Sequence, residues 1–391
     1  MRLAYVCADP GVPVFGRKGC SVHVQEMLRA MLRAGHTVEL FARRLDGPPP
    51  ADLAAVIVHL LPALPKDEVE QRELSAYEQN GDLVRALDDA GSFDLIYERH
   101  ALWSFGGMEL AARAGIPSVL EVNAPLIEEQ RQHRALHHVE LAELAAREAF
   151  QQARHIVAVS PAVAEYARRL APRHAAIVVE PNGVAVARFQ QAARSRPSTA
   201  TAVTVGFVGT LKPWHGLSVL LEAFARLGAG FPEARLLIVG DGPERAALDQ
   251  QAAALGIASL TEFTGAVDPE LIPALLAEMD VAVAPYPRLD DFYFSPLKVL
   301  EYMAAGRAVV ASRIGMIPEW IEHAGTGWLV TPGDTDELTA ALKLLASDPA
   351  RRDRFGAAAQ ASVTVRHDWS SVWERILRRV QDHALVNSTA A

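Results

Sequence analysis

Short apolar runs alternate with amphipathic stretches along almost the whole chain, and the alternation stops once and then restarts. Residues 3–7, 38–42, 56–60, 95–97, 118–122, 156–160 and 177–179 are compact and mostly apolar. Between them the spacing turns helical. In 22–34, Val24, Leu28, Met31 and Leu32 share one stripe and Gly35 closes it. Residues 128–154 read as one long helix. Strands covered on both faces appear as continuous apolar runs, so this pattern predicts a mostly parallel sheet packed between helices. The run 191–201, QAARSRPSTAT, is small, polar and Pro-containing and reads as a linker. Strands then resume at 203–208, 236–239, 261–263, 281–284 and 309–311, with helices between them. A last helix at 369–385 carries Trp373, Ile376 and Val380 on one side.

The expected fold is therefore α/β, with two Rossmann-like, doubly wound parallel-sheet domains facing a cleft. Residues 1–190 form the first, 191–201 the linker, 202–365 the second and 366–391 the terminal helix. A chain of 391 residues accommodates two such halves. In open α/β sheets ligands sit beyond the carboxyl ends of the strands, where the strand order reverses.

Charge and cysteine content narrow the function. Lys plus Arg total 38 against 47 Asp plus Glu, a formal net charge of −9. That balance disfavours nucleic acid, whose phosphates need a basic surface. Cys7 and Cys20 supply neither a disulfide framework nor a C-x-x-C zinc pair, which fits a reduced cytoplasm. The start of the chain does not read as a signal peptide, and no apolar run is long enough to span a bilayer.

Three loops carry candidate chemistry. In FYFSPLKVLEYMAAG, 292–306, Ser295 followed by Pro296 signals a helix start. The amides of Leu297 and Lys298, with the Lys298 side chain, would form an anion site at that helix N-terminus. Glu301 shares their face and can accept from a vicinal diol, so phosphate followed by ribose suits the geometry. A plain capped helix with solvated Lys and Glu is the bland alternative. In FVGTLKPWHG, 207–216, Lys212 and His215 stand in a loop between strand and helix, suited to a diphosphate or merely exposed. In VFGRKGCS, 14–21, Gly16 and Gly19 allow close backbone approach and Arg17 and Lys18 add charge, but the spacing is not the dinucleotide fingerprint. Cys20 reads as a small residue at a helix start. Arg99 and His100 end one strand and Glu121 and Asn123 another, although Arg99 and Glu121 also suit a buried ion pair. His133, His137 and His138 cluster on one helix without a third metal ligand in view.

In order along the chain, GRKGCSVHV, AGHTVEL, EPNGV at 180–184, VGTLKPWHG at 208–216, IVGDGPER at 238–245, FTGAV at 263–267 and SPLKVLEYMAAGRAVVAS at 295–312 resemble the retaining GT-B glycosyltransferases of the large sucrose-synthase-like and mannosyltransferase-like family, glycosyl transferases group 1. The resemblance implies transfer of a hexose-type sugar from a nucleoside-diphosphate sugar to an acceptor hydroxyl. It implies retained configuration, no tightly bound cofactor and no metal. The acceptor would be a glycan, a lipid-linked sugar or a small molecule. The last helix would cross back to the N-terminal domain.

By the same resemblance, Gly209, Thr210, Lys212, His215, Val267, Ser295, Pro296, Leu297, Lys298 and Glu301 would hold the donor. Lys298, His215 and Asn123 would be catalytic. Gly16, Arg17, Lys18, Gly19, Arg99 and His100 would meet the acceptor or the phosphates. The protein would be cytoplasmic, with a peripheral membrane contact through Lys18, Arg131 and Arg134. Glu128, Glu129 and Glu140 on the same stretch suit a solvated face equally well.

The pattern is broken at several positions. Tyr293 stands where the E-x7-E signature has its first acid. Thr210 and His215 replace the Arg and Lys of the donor loop, Asn123 replaces a His, and Ala185 replaces an Asp. Lys212, His215 and Lys298 are left to compensate. The substituted Tyr293, Thr210 and Asn123 keep open a catalytically weak GT-B scaffold or binding subunit, and the same architecture also admits a sugar-nucleotide epimerase.

Overall fold

The computed structural model describes residues 1–66, 68–133, 135–173, 175–193 and 202–389. The chain divides into two compact units. The first holds Met1–Asn182, Tyr293–Ser295 and Trp369–Ala391, and the second Gly183–Phe292 and Pro296–Asp368. Most of the linker expected at 191–201 lies outside the described residues.

In the first unit the elements run β1 (Arg2–Cys7), α1 (Gly19–Arg33), β2 (Thr37–Ala42), β3 (Ile57–Leu60), α2 (Val69–Glu78), α3 (Asn80–Ala90), β4 (Leu95–Arg99), α4 (Gly106–Ala114), β5 (Ser118–Val122), α5 (Leu126–His133), α6 (Val139–Gln152), β6 (His155–Ala158), α7 (Pro161–Leu170) and β7 (Ala176–Val179). The seven strands are parallel in the order β3-β2-β1-β4-β5-β6-β7. Strand order reverses between β1 and β4, so the loop after β1 and the end of β4 open at that switch point.

The second unit contains α8 (Val186–Ala193), β8 (Thr204–Val208), α9 (Leu217–Gly228), β9 (Arg235–Val239), α10 (Arg245–Ala254), β10 (Thr261–Phe263), α11 (Ile272–Glu278), β11 (Val281–Ala284), α12 (Leu297–Ala304), β12 (Ala308–Ser312), α13 (Ile317–Trp320), β13 (Trp328–Val330), α14 (Thr335–Ser347) and α15 (Pro349–Arg366). Its six strands are also parallel, in the order β10-β9-β8-β11-β12-β13, and reverse between β8 and β11. The apolar stripe of α9, Leu217, Leu220, Leu221, Phe224 and Leu227, is buried against this sheet.

A final helix, α16 (Trp369–Thr389), belongs to the first unit. Val372, Trp373, Ile376 and Val380 are all buried there. Trp373 meets Tyr97 and His36 edge-on, and the Arg375 guanidinium grips the buried Glu180 carboxylate from two nitrogens.

Two local expectations are corrected. The long helix expected over 128–154 is two helices, α5 and α6. Glu73, buried on α2, accepts from the backbone N–H groups of His137 and His138 and so fixes the break between them. The Ser-Pro start signal works at Ser160, whose hydroxyl accepts from Val163 N at 3.2 Å. It does not work at Ser295. There Pro296 is the N-cap of α12 and no side chain caps the helix, because the Ser295 hydroxyl is taken by Asn182 N at 3.2 Å.

Candidate functional site

The second unit's switch point gathers the loop after β8, the segment after β11 and the start of α12. Tyr302 on α12 accepts from Val208 N at 2.8 Å and so fixes the helix against the end of β8. That register lays the Lys298 side chain across the strand end. Its Nζ stands 4.2 Å from the Phe207 ring centroid and 5.5 Å from that of Tyr286. The amine is buried and has no hydrogen-bond partner among the described residues. Burial pushes it down to about 7, with the Glu301 carboxylate partly opposing that shift. Gly209 leaves room for it, since a Cβ there would lie 2.7 Å from Nζ, and its φ of +147° suits glycine alone.

The loop that follows is equally constrained. Gly216 has φ +68°, and a Cβ would lie 1.8 Å from Pro285 O. His215 Nδ1 lies 2.5 Å from Thr210 O. A carbonyl only accepts, so Nδ1 carries the proton. Burial first, then the positive charges of Lys298 and Lys212, hold the ring down to about 3, and it is neutral at pH 7. The expected second cation of this loop is therefore an uncharged ring whose other nitrogen is an acceptor. Lys212 keeps its amine 5.4 Å over Trp214. Thr210 is exposed, and Val267, in the loop after β10, is half-buried.

The start of α12, like those of α9, α10, α11 and α13, has no side-chain cap, whereas α14 and α15 have one. Asp334 caps α14 and Asp348 caps α15, each accepting an amide at 2.9 Å. With no side-chain cap, the first amides of α12, those of Leu297 and Lys298, remain available to a ligand. An anion there meets amide donors, the helix dipole and the Lys298 amine together.

In the first unit, 16–19 form the turn into α1. Gly16 N donates to Pro13 O at 2.9 Å, and Gln25 ties the loop through Val14 O and Gly16 O. Arg17 and Lys18 are exposed, Lys18 is the N-cap of α1 and Gly19 its first residue. Asn123, after β5, is half-buried and its Nδ2 lacks a hydrogen-bond partner.

Arg99 is the last residue of β4 and His100 follows it, at the carboxyl end of the strand as expected. Arg99 is 12% exposed and pairs with Glu121 at 3.6 Å. His100 packs edge-on against Phe150 in the core, where burial and Arg99 lower it to about 3. Burial alone would raise Glu121, but His23 at 2.8 Å, Arg99 and the Tyr97 hydroxyl outweigh it and hold the carboxyl at about 2. Arg131 pairs with Glu143 and Arg169 with Glu128, which neutralises much of the basic face expected there. Arg134 and the His133 side chain lie outside the described residues. Among the described residues no group of three or more His, Cys, Asp or Glu could hold a metal ion, and no helix is long and apolar enough to cross a membrane.

Phe207 and Tyr286, which wall in Lys298, are site residues that sequence reasoning did not single out. Phe207 is the last residue but one of β8 and Tyr286 lies two residues past the end of β11, and this place at the switch point is the signal that marks them. Tyr293, at the position of the absent acid, donates its hydroxyl to Glu129 and accepts from Ser160 at its carbonyl.

The family model described as "Glycosyl transferases group 1" matches residues 202–348, and that described as "Glycosyltransferase Family 4" matches 17–188. A glycogen synthase of Mycobacterium tuberculosis is 34% identical over 203 residues, 51% of this chain and 47% of that protein. This chain thus spans about half the length of that relative. A D-inositol 3-phosphate glycosyltransferase of Saccharomonospora viridis is 28% identical over 377 residues, 87% of this chain and 83% of that protein. Among solved structures, Anabaena HepE in complex with UDP superposes with a TM-score of 0.72 at 20% identity, covering 98% of this chain and 100% of that one. Two parallel-sheet α/β units of this kind define the GT-B class. Each half of the chain thus matches a glycosyltransferase family model.

Proposed function

We propose that this protein is a glycosyltransferase that moves a hexose-type sugar from a nucleoside-diphosphate sugar to an acceptor hydroxyl, with retained configuration and without a metal. The observation that carries this reading is the uncapped start of α12 with the buried Lys298 amine beside it. The amides of Leu297 and Lys298 take the phosphates, and Glu301, one turn on, takes the ribose hydroxyls. The backbone at Val267 meets the base, and Gly209 and Thr210 border the diphosphate. As the glycosidic bond breaks, charge builds on the leaving diphosphate, and fixed amides and an ammonium stabilise it there without a cation. His215, as an acceptor, serves a hydroxyl of the donor rather than its phosphate. Asn123 and 16–19 serve the acceptor side, and a glycan, a lipid-linked sugar or a small molecule fills that role. The reaction takes place in the cytoplasm, at the membrane face when the acceptor is lipid-linked.

The test is a thermal-shift panel with UDP, GDP, ADP and CMP. A ligand at 100 times its Kd adds about 2.7 kcal/mol to the unit that binds it, a rise of roughly 5–10 °C for a domain of this size. A selective rise with one diphosphate supports the reading and names the base. No rise with any of them overturns it. Product formation that persists in EDTA, with the anomeric configuration read by NMR, tests metal independence and retention.

A further inference from the structure

The buried Lys298 amine poses a problem that the transferase reading alone does not solve. An ammonium removed from water without an acceptor is strongly disfavoured relative to the neutral amine. Two aromatic faces offset only part of that cost. From its own helix, Glu301 and Tyr302 are the titratable groups beside it. From the loop after β8 there is His215, which is neutral, with Lys212 further along the same loop. From the segment after β11 there is Tyr286, and β8 contributes only Phe207. Of these, Glu301 alone favours the charged form, and it does not hydrogen-bond the amine. The empty pocket is therefore better suited to an amine than to an ammonium, whereas a pocket holding a diphosphate is suited to the ammonium.

We propose that anion binding at this site is coupled to proton uptake: Lys298 is largely uncharged in the empty pocket and becomes an ammonium as the diphosphate arrives. The proton comes from solvent and stays on Nζ while the diphosphate is bound. No bond to the ligand forms other than hydrogen bonds. The coupling rests on the diphosphate site proposed above, and it makes donor affinity fall as pH rises through the neutral range. An arginine at this position would be charged at all working pH values and would not be linked to pH in this way.

The chain has only five lysines, Lys18, Lys66, Lys212, Lys298 and Lys343. With lysine labelled at the ε-carbon, NMR gives five ε-CH2 signals, which single substitutions assign. In the ligand-free protein the Lys298 signal is expected to titrate near neutrality and to vanish in Lys298→Arg. Titration of that signal in the ordinary lysine range overturns the proposal.

Calorimetry with UDP-glucose and GDP-mannose, whose diphosphates have no proton to lose near neutrality, is then run at pH 8.5 in buffers of different ionisation enthalpy. About one proton is expected to be taken up per donor bound, with affinity falling about tenfold per pH unit above neutrality and no pH slope in Lys298→Arg. Binding without proton uptake overturns the coupling and leaves the donor site standing. Failure of every nucleotide to bind overturns the coupling together with the transferase reading, even where the Lys298 signal titrates near neutrality.

Discussion

Single residues carry the electrostatics of this molecule, and each buried charge has a definite local reason. Glu98, the last residue but one of β4, lies inside the core, where Ser104 donates to it at 2.5 Å. Burial raises its carboxyl to about 7, partly offset by Ser104 and the Met108 amide. Its folded pKa lies above the unfolded value, so its contribution to stability is complete below pH ~4.3 and is lost as pH rises to 7. The loss is on the order of 3 kcal/mol. Urea melts at pH 5 and pH 8 are expected to show it in the wild type, and Glu98→Gln is expected to flatten that difference. Gly216→Ala is expected to cost at least about 2 kcal/mol, from a strained φ and a backbone clash, and to abolish nucleotide-induced stabilisation in a thermal-shift assay. Residue identity alone did not disclose these roles. Lys298 reads as an anion-binding cation from its place after Ser-Pro, but its neutral tendency depends on Phe207 and Tyr286, which fold around it from other strands. His215 reads as a base, and only the Thr210 carbonyl shows which nitrogen holds the proton.

Among the secondary elements, α12 shows a trade between stability and binding. A side-chain carboxylate at its N-cap would satisfy the amides that a ligand needs. Pro296→Asp is expected to raise stability in chemical denaturation by roughly 0.5–2 kcal/mol and to remove the thermal shift given by the cognate nucleotide. If stability and nucleotide binding both rise, the amides of Leu297 and Lys298 are not the anion site. Strands were the most legible elements, since runs such as Val205–Val208 are buried on both faces and need no partner to be recognised. Helix ends were less legible. The break between α5 and α6 depends on Glu73, far away in sequence, and the same Ser-Pro pair caps α7 but not α12 because Asn182 claims Ser295.

At the scale of the whole molecule, two hydrophobic cores form around two sheets, and the order of the chain does not follow them. Trp373 is completely buried in the first unit although it follows nearly all of the second in sequence. Trp373→Ala is expected to cost about 3–5 kcal/mol in the first unit and to leave the second unit's protection in hydrogen exchange unchanged. Loss of protection in β8–β13 as well would show that the two cores unfold together. The two-sheet plan was legible from the restart of the apolar alternation at 203–208, but the end of the first unit was not. Composition places a break at the polar run 191–201, whereas α8 already packs with α11 and α12 of the second unit, because where a helix docks is decided by tertiary contacts that composition does not record.

The return of α16 also orders events in time. Synthesis runs from the N-terminus, and domains tend to fold as their residues emerge. Here the half of the protein made first lacks the tryptophan that fills its core, and the carboxylate of Glu180 waits for Arg375. The second unit has its whole sheet in hand once β13 has left the ribosome. The first unit to be translated is therefore the last to be finished, and a ribosome stalled before Trp369 holds a complete second sheet and a first core that is still open.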